Sequence, residues 1–224
     1  MNCKGIKAIF YFGIIFIVFA MFSSCLGLNM DISMRSNGSG RIVMEYSVPA
    51  GAENIGRLDG NENWPIIPVG RADWQRTVSR INGVKLVSFS SRQRQQEVIT
   101  KVTLDFDNPN ALANLLDPSG TRVSYNGALN IILNREIPSE INPDLLDLLR
   151  QASSGKKVSI SFTSAGVLSN LVITNGSGNE ITAPKTVQIV PSGRKVLFSI
   201  DTAEIFDQAD GLGLRFSGAP FPAP

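Results

Sequence analysis

LNMDISM-RS-NGSG-RIVMEYSVP, residues Leu28–Pro49, is the stretch that decides the fold of this chain. Apolar and polar residues alternate in its first half and again in its second half, and a period of two is typical of half-buried strands. Asn37-Gly38-Ser39-Gly40 separates the halves, and Asn and Gly tolerate the positive φ that a hairpin turn requires. The stretch therefore predicts a β-hairpin with one apolar face, made of Leu28, Met30, Ile32, Met34, Ile42, Met44, Tyr46 and Val48.

An apolar run lies just upstream of this hairpin. Lys4 and Lys7 precede the uncharged run 8–22, and Ser23-Ser24-Cys25 closes it. A basic start, an apolar centre and small residues before a cleavage point are typical of an export signal. Phe22-Ser23-Ser24-Cys25 resembles the lipobox of bacterial lipoproteins, with Phe22 where leucine is usual. The alternative is a plain transmembrane anchor, because the run nearly reaches the thickness of a bilayer.

The lipobox resemblance implies a defined maturation and location. Residues 1–24 would be a removable signal peptide, and the thiol of Cys25 would carry diacylglycerol and palmitate. We then expect an exported protein that is lipid-anchored to the cell membrane or outer membrane and faces the periplasm or the cell surface. Because the first strand begins a few residues after Cys25, the folded domain should sit close to that membrane.

Composition excludes several functional classes. Lys4 and Lys7 belong to the 21 basic residues, so the remaining 19 balance the 19 acidic residues, and a neutral mature chain argues against a nucleic-acid partner. Cys3 leaves with the signal and Cys25 is the lipid site, so no disulfide is available to the mature domain. The chain has no histidine, which excludes histidine triads, histidine metal sites and imidazole bases. We expect no cofactor and no metal.

The stretch from Ala50 to Gly70 has no usable period and contains several glycines and prolines. Loops of this length inside a compact domain are uncommon and are usually functional or mobile. Trp64, Ile66 and Ile67 form an apolar group between Pro65 and Pro68. Two interpretations are open: an arm that packs back on the core, or an exposed binding loop.

A helix and a second hairpin are predicted next. Trp74, Val78 and Ile81 have helical spacing and predict a helix from Asp73 to Ile81. Strands are predicted for 84–90 and 98–106, joined by a polar tip from Ser91 to Glu97. Arg92 and Arg94 in this tip either meet anionic lipid headgroups or belong to a solvated turn.

Two Asn-Pro pairs predict helix starts, because Asn caps free amides and Pro at the first position loses no hydrogen bond. They stand before the predicted helices 110–116 and 144–150. At the first of them, a calcium site built from Asp105, Asp107 and Asn108 is the alternative to a strand end followed by a cap. Between the helices, 121–134 predicts two strands that turn at Asn126-Gly127.

The last third is β-rich. Strands are predicted for 158–163, 166–173, 186–190, 195–200 and 211–216, and Asp201 with Glu204 predicts a capping box for a short helix. The fold class is α+β, a mainly antiparallel sheet with a few short helices. We divide the mature chain into an N-terminal part, 25–125, and a β-rich part, 126–216, of the same or a second small domain. Residues 217–224 are predicted to be a flexible Pro-rich tail.

The order of these motifs resembles a known family. A strand after the lipidated cysteine leads into Asn37-Gly38-Ser39-Gly40, and Asn82-Gly83-Val84 opens a later strand. Val102–Phe106 precedes a helix, while Val158–Phe162 precedes a Gly-Val step, an Asn-rich turn and Lys195–Asp201. This order is similar to that of the LppM-domain bacterial lipoproteins and related families of unknown function. The resemblance implies a role with lipids or glycolipids at the envelope and defines no catalytic residues. Some relatives carry a second membrane-spanning segment, for which the sequence after Gly211 has no counterpart.

The sequence favours binding over catalysis. No serine has a histidine partner, and we expect that the protein is not an enzyme. Two functions stay open: an envelope lipoprotein that holds a partner protein, and a lipoprotein that binds or handles a lipid or glycolipid. An enclosed cavity of several hundred Å³ would favour the second function, and a filled core the first.

Overall fold

A computed structural model describes residues 27–50, 68, 70–94, 97–117, 120–134, 147, 150–151, 153–166 and 168–218. The predicted signal peptide, Cys25, Trp64, Ile66 and Ile67 lie outside the described residues. So does most of the second predicted Asn-Pro helix, of which Asp147 and Arg150 are described as helical.

The described residues form an α+β fold, as predicted. Its helices are α1 (Arg71–Val78), α2 (Pro109–Leu116) and α3 (Thr202–Ile205). Its strands are β1 (Leu28–Met34), β2 (Gly40–Pro49), β3 (Val84–Arg94), β4 (Glu97–Phe106), β5 (Val123–Tyr125), β6 (Leu129–Asn134), β7 (Lys157–Ser164), β8 (Leu168–Thr174), β9 (Gln188–Ser192), β10 (Lys195–Asp201) and β11 (Leu212–Gly218).

The hairpin predicted from Leu28–Pro49 forms with the expected register. Met30 lies opposite Met44 and Ile32 opposite Ile42, so the apolar residues of both strands share one buried face. Gly38 adopts a φ of 82° in the turn, a conformation that costs glycine nothing. Gly40 is required for a different reason. A Cβ at this position would overlap the carbonyl oxygen of Ser33 and the ring of Phe106.

The hairpin lies in the middle of a seven-stranded sheet with the order β3-β4-β2-β1-β7-β10-β9. Its pairs are antiparallel except β1 with β7, which run parallel with Leu28 beside Val158 and Met34 beside Ser164. The strict alternation of β7 places Val158, Ile160 and Phe162 on the buried face. The parallel neighbour of β1 therefore comes from the β-rich last third of the chain.

A second sheet covers the buried face of the first. It has the order β5-β6-β11-β8, and all of its pairs are antiparallel. Phe162 of the large sheet stacks on Phe216 of the small sheet, with ring centroids 5.3 Å apart. Side chains of both sheets and of α2 belong to one buried apolar cluster. The boundary at 125/126 lies in the β5–β6 turn, and the division into one or two domains stays a prediction.

Local predictions were confirmed where a neighbouring residue decides the structure. Oδ1 of Asn108 accepts a hydrogen bond from the amide of Ala111 at 2.9 Å, and Pro109 is the first residue of α2. Gly127 takes a φ of 87° between β5 and β6, as the predicted turn requires. The N-cap interpretation of Asn108 is therefore correct.

Three predicted boundaries were wrong. Helix α1 begins at Arg71, because the Asp73 carboxylate accepts a hydrogen bond from the amide of Gly70 at 3.2 Å and caps an earlier first turn. The polar tip is shorter than 91–97, since β3 stays paired with β4 as far as Arg94, opposite Glu97. The strand predicted for 186–190 is β9, which runs from Gln188 to Ser192 because its pairing with β10 extends to Ser192.

The capping box predicted at Asp201 does not form. Asp201 makes no side-chain cap for α3. The Glu204 carboxylate instead accepts a hydrogen bond from the amide of Thr186 at 3.0 Å, a partner that is distant in sequence. At the end of the chain, β11 includes Ser217 and Gly218, and the rest of the predicted tail lies outside the described residues.

Candidate functional sites at the two ends of the large sheet

The strand register assigns every residue of the large sheet to one of two ends. The basal end is where β1 begins, and it holds Leu28, the end of β2 at Pro49, the β3–β4 tip at Arg94 and Glu97, and the start of β7. The apical end is where β1 stops, and there Met34 lies beside Gly40 and Ser164. β1 has 7 residues, so the two ends are about 20 Å apart at ~3.3 Å per residue.

The predicted headgroup residues Arg92 and Arg94 lie at the basal end. Both are exposed residues of β3, paired with Ile99 and Glu97 of β4. Among the described residues, neither arginine forms an ion pair, whereas Nζ of Lys156 pairs with the Glu97 carboxylate. The guanidinium groups are therefore available to an anion outside the domain, which both interpretations of this tip permit.

The segment that carries Trp64, Ile66 and Ile67 lies outside the described residues, and the described residues on either side of it are at the basal end. Ala50 precedes the segment and lies next to the end of β2. Pro68 follows it, and the Pro68 carbonyl accepts a hydrogen bond from the hydroxyl of Tyr46. Nε1 of Trp74 donates to the same hydroxyl at 3.2 Å, and burial raises the pKa of Tyr46. The covering arm and the exposed loop both stay open as interpretations of this segment.

A pocket at the apical end was not predicted from the sequence. It is open to solvent, has a volume of about 320 Å³, and is lined by Ser33, Met34, Arg35, Ser36, Gly40, Arg41, Thr163, Ser164 and Ala165. The parallel strands β1 and β7 both end here. After β1 the chain turns back into β2 of the same sheet, whereas after β7 it leads to β8 of the other sheet. The two connections run in different directions, and the pocket lies between them.

The apical pocket carries an excess of positive charge. Arg41 binds the Asp105 carboxylate with two hydrogen bonds, Nε to Oδ1 at 2.7 Å and Nη2 to Oδ2 at 3.1 Å. The hydrogen bond from Arg41 holds the pKa of Asp105 below its ordinary value, and the charges of Arg35 and Lys85 lower that pKa further. Arg41, Arg35 and Lys85 therefore all act on the carboxylate of Asp105.

Two hydroxyl groups of the pocket already donate hydrogen bonds to backbone carbonyls. Oγ of Ser33 donates to the carbonyl of Arg41 at 3.3 Å, and Oγ of Ser164 donates to the carbonyl of Gly166 at 2.7 Å. One nitrogen of Arg35, Nη1, donates to Oγ of Ser39 at 3.2 Å. The other N–H groups of Arg35 are the charged donors that stay available to a ligand.

Two further observations bear on chemistry and location. In the described ranges, the side chains of His, Cys, Asp and Glu form no group of three or more that is arranged to hold a metal ion. Among the same residues, no helix combines the length and the hydropathy needed to cross a bilayer.

Comparison with known proteins gives few relatives. No protein-family model matches the chain, and no curated protein sequence matches it. Among solved structures, the chain is similar to the NMR structure of the folded domain of LppM from Mycobacterium tuberculosis. The match has 12% sequence identity and a TM-score of 0.38, and covers 88% of this chain and 92% of that one. LppM gives its name to the family that the order of motifs resembles, and membership of that family stays a prediction for this chain.

Proposed function

We propose that this chain is a bacterial lipoprotein, anchored in the cell envelope through Cys25, whose folded part is a non-catalytic interaction or binding domain. The observation that carries the proposal is the short distance along the chain between the lipobox and the sheet. Cys25 follows Ser23-Ser24, and β1 already begins at Leu28. A domain joined so closely to acyl chains has little freedom to leave the membrane surface.

The basal end supports this arrangement. β1 begins there at Leu28, so the chain enters the sheet on the same side as Arg92 and Arg94. Each basic residue near an anionic membrane surface contributes about 1 kcal/mol of attraction. In the proposed orientation, these arginines face the headgroups and hold the domain upright on the bilayer.

The packing favours an interaction domain over one that encloses a lipid. Phe162 and Phe216 fill the space between the sheets, and both are fully buried. The apical pocket is open to solvent and lined in large part by serine, threonine and arginine, unlike the enclosed apolar cavities that hold acyl chains. Binding of a lipid or glycolipid stays the second candidate, because the segment with Trp64 joins the described chain at the membrane-facing end.

The anchor is tested by labelling cells with radioactive or alkyne-tagged palmitate. The wild-type protein should incorporate label, and Cys25→Ser should abolish labelling and leave the uncleaved precursor. Continued labelling of the Cys25→Ser variant would exclude the proposed lipid site.

The orientation is tested on the mature acylated protein in liposomes that contain anionic lipid. A fluorophore on Gln93→Cys should be quenched by a membrane-embedded quencher, because residue 93 lies at the basal end. The same fluorophore on Ser36→Cys, which lies about 20 Å away at the apical end, is the matched control and should be quenched much less. Equal quenching at the two positions would contradict an upright domain.

The lipid-binding candidate is tested through Trp64 fluorescence. Trp74 must first be changed to Phe to isolate the signal, and because its indole donates to Tyr46, the Trp74→Phe protein must be shown to remain folded. If the segment covers the core, Trp64 should be poorly quenched by acrylamide and unaffected by envelope lipid. A blue shift on adding such lipid would favour the lipid-binding candidate.

A further inference from the structure

The apical pocket lies at the carboxyl ends of the parallel strand pair β1 and β7. In open α/β sheets, crevices form outside the carboxyl ends of parallel strands where neighbouring connections run in different directions. β1 and β7 are parallel, so their carboxyl ends lie side by side at Met34 and Ser164, and their connections lead to different sheets. The volume of about 320 Å³ is at the lower end of the range for small-molecule pockets.

The charges around the pocket select the kind of ligand. Arg35 and Arg41 line it, Lys85 lies close enough to lower the pKa of Asp105, and Asp105 is already neutralised by Arg41. Within the described part of the chain, no carboxylate forms an ion pair with Arg35. A cleft lined by one sign of charge concentrates ligands of the opposite sign, and guanidinium groups match the geometry of phosphate and carboxylate oxygens.

We propose that the apical pocket binds the phosphate or carboxylate group of a ligand, with Arg35 as its principal donor. Thr163, whose outward position on β7 lies opposite Ser33, supplies a neutral hydroxyl from the other wall. Gly40 also lines the pocket, and its backbone packs so closely against the Ser33 carbonyl and the Phe106 ring that no side chain fits there. The pair Arg41–Asp105 supports the wall and reduces its positive charge.

The side from which the ligand reaches the pocket rests on the proposed function, because it depends on the membrane anchor at Cys25. Binding of the anion in the pocket does not depend on that anchor. The pocket is about 20 Å from the basal end, so headgroups of the bilayer that holds Cys25 do not reach it. The oxyanion must then belong to a soluble molecule, or to a headgroup presented from the other side of the domain. A failed labelling of Cys25 would change this direction and leave the anion site untouched.

The experiment uses the full acylated chain in nanodiscs of zwitterionic lipid. Inorganic phosphate, glucose 1-phosphate and acetate are titrated separately, and binding is followed by isothermal calorimetry. In a fourth arm, vesicles of anionic lipid are added. Binding in this arm would show that the anion can be the headgroup of a membrane other than the one that holds the protein. Saturable binding of phosphate or acetate supports the site, and tighter binding of glucose 1-phosphate or of the vesicles identifies the source of the anion. No saturable binding in any arm at millimolar concentration would overturn the proposal.

Two substitutions that each remove one positive charge test whether binding occurs at this site or depends only on the net charge of the protein. Arg35→Gln should weaken binding on the order of tenfold, as expected for loss of a charge-assisted hydrogen bond. Lys185→Gln removes the same charge from an exposed position and should leave the affinity unchanged, because the neighbouring Thr186 hydroxyl accepts a hydrogen bond from the amide of Asp201, at the end of β10 far from the pocket. Equal weakening by both substitutions would show that only net charge matters and would refute the site.

A third substitution is expected to strengthen anion binding instead of weakening it. Asp105→Asn removes the only carboxylate paired with Arg41 among the described residues, so the wall becomes more positive and binding should tighten. A merely structural role of the Arg41–Asp105 pair predicts weaker binding instead. Thermal unfolding of each variant checks that the fold is retained, and a folded Asp105→Asn protein with weakened binding would contradict the assigned charges.

Discussion

Replacement of Phe162 by alanine tests whether the two sheets share one core. Phe162 is fully buried in β7 and stacks on Phe216 of β11 at 5.3 Å, so its ring contacts both sheets. Truncation of a buried phenylalanine costs about 3–5 kcal/mol through lost burial and the cavity that remains. This is a large part of the ~5–15 kcal/mol by which a typical domain is stable, and we expect Phe162→Ala to be severely destabilised.

The measurement is urea unfolding of the mature domain beginning at Leu26, followed by circular dichroism and by fluorescence. Phe162→Ala, Phe216→Ala and the double variant form a cycle, and the stacked pair should give a coupling of about 0.5–1.5 kcal/mol. Phe106→Ala combined with Phe162→Ala is the control. Phe106 lies on β4, three strands from β7 and so about 14 Å away, and its effect should be additive.

Two results would refute this account. A loss below about 1 kcal/mol for Phe162→Ala would mean that the ring is not part of a tightly packed interior. Two separate unfolding transitions in the wild-type protein would mean that the parts 25–125 and 126–216 unfold independently. No coupling between Phe162 and Phe216 would mean that the two sheets do not share a tightly packed core. A single transition with positive coupling would establish one cooperative domain.

Three further substitutions test individual elements by the same unfolding measurement. Val102→Asp should cost several kcal/mol, because Val102 is fully buried in β4 and a charge there has no partner; a loss within ~0.5 kcal/mol would place this face of β4 in solvent. Gly40→Ala should also be strongly destabilising, since the new methyl group overlaps the carbonyl oxygen of Ser33, and an unchanged midpoint would show that the hairpin relaxes freely. Asn108→Ala should cost about 1 kcal/mol by removing the cap on the amide of Ala111, whereas Asn108→Asp should keep most of that stability if the cap is the cause.

Predictions from the sequence were reliable where a structure depends on residues a few positions apart. The alternation in Leu28–Pro49 determined both strands, their register and the buried face. The pair Asn108-Pro109 determined the start of α2, and Asn126-Gly127 determined the turn between β5 and β6. Side-chain period, capping and turn geometry are local properties, so the order of residues is enough to specify them.

Predictions failed where a distant residue supplies the partner. Asp201 and Glu204 have the spacing of a capping box, yet the Glu204 carboxylate binds the amide of Thr186 instead. The extent of β3 was underestimated because Ser91, Arg92 and Arg94 have no strand pattern of their own and are held by pairing with β4. In each case a tertiary hydrogen bond outweighs a local preference.

The sequence alone therefore determined the α+β class, the first hairpin and the capped helix, while the lipid site at Cys25 stays a prediction. The tertiary structure alone decided that β7 lies parallel to β1, that β11 joins a second sheet, and that Arg35 and Arg41 meet Thr163 in one pocket. The physical reason is that strand alternation specifies which face is buried and leaves the identity of the neighbouring strand open. That choice is made by the packing of whole sheets around Phe162 and Phe216, which lie far apart in the chain and meet only in the folded core.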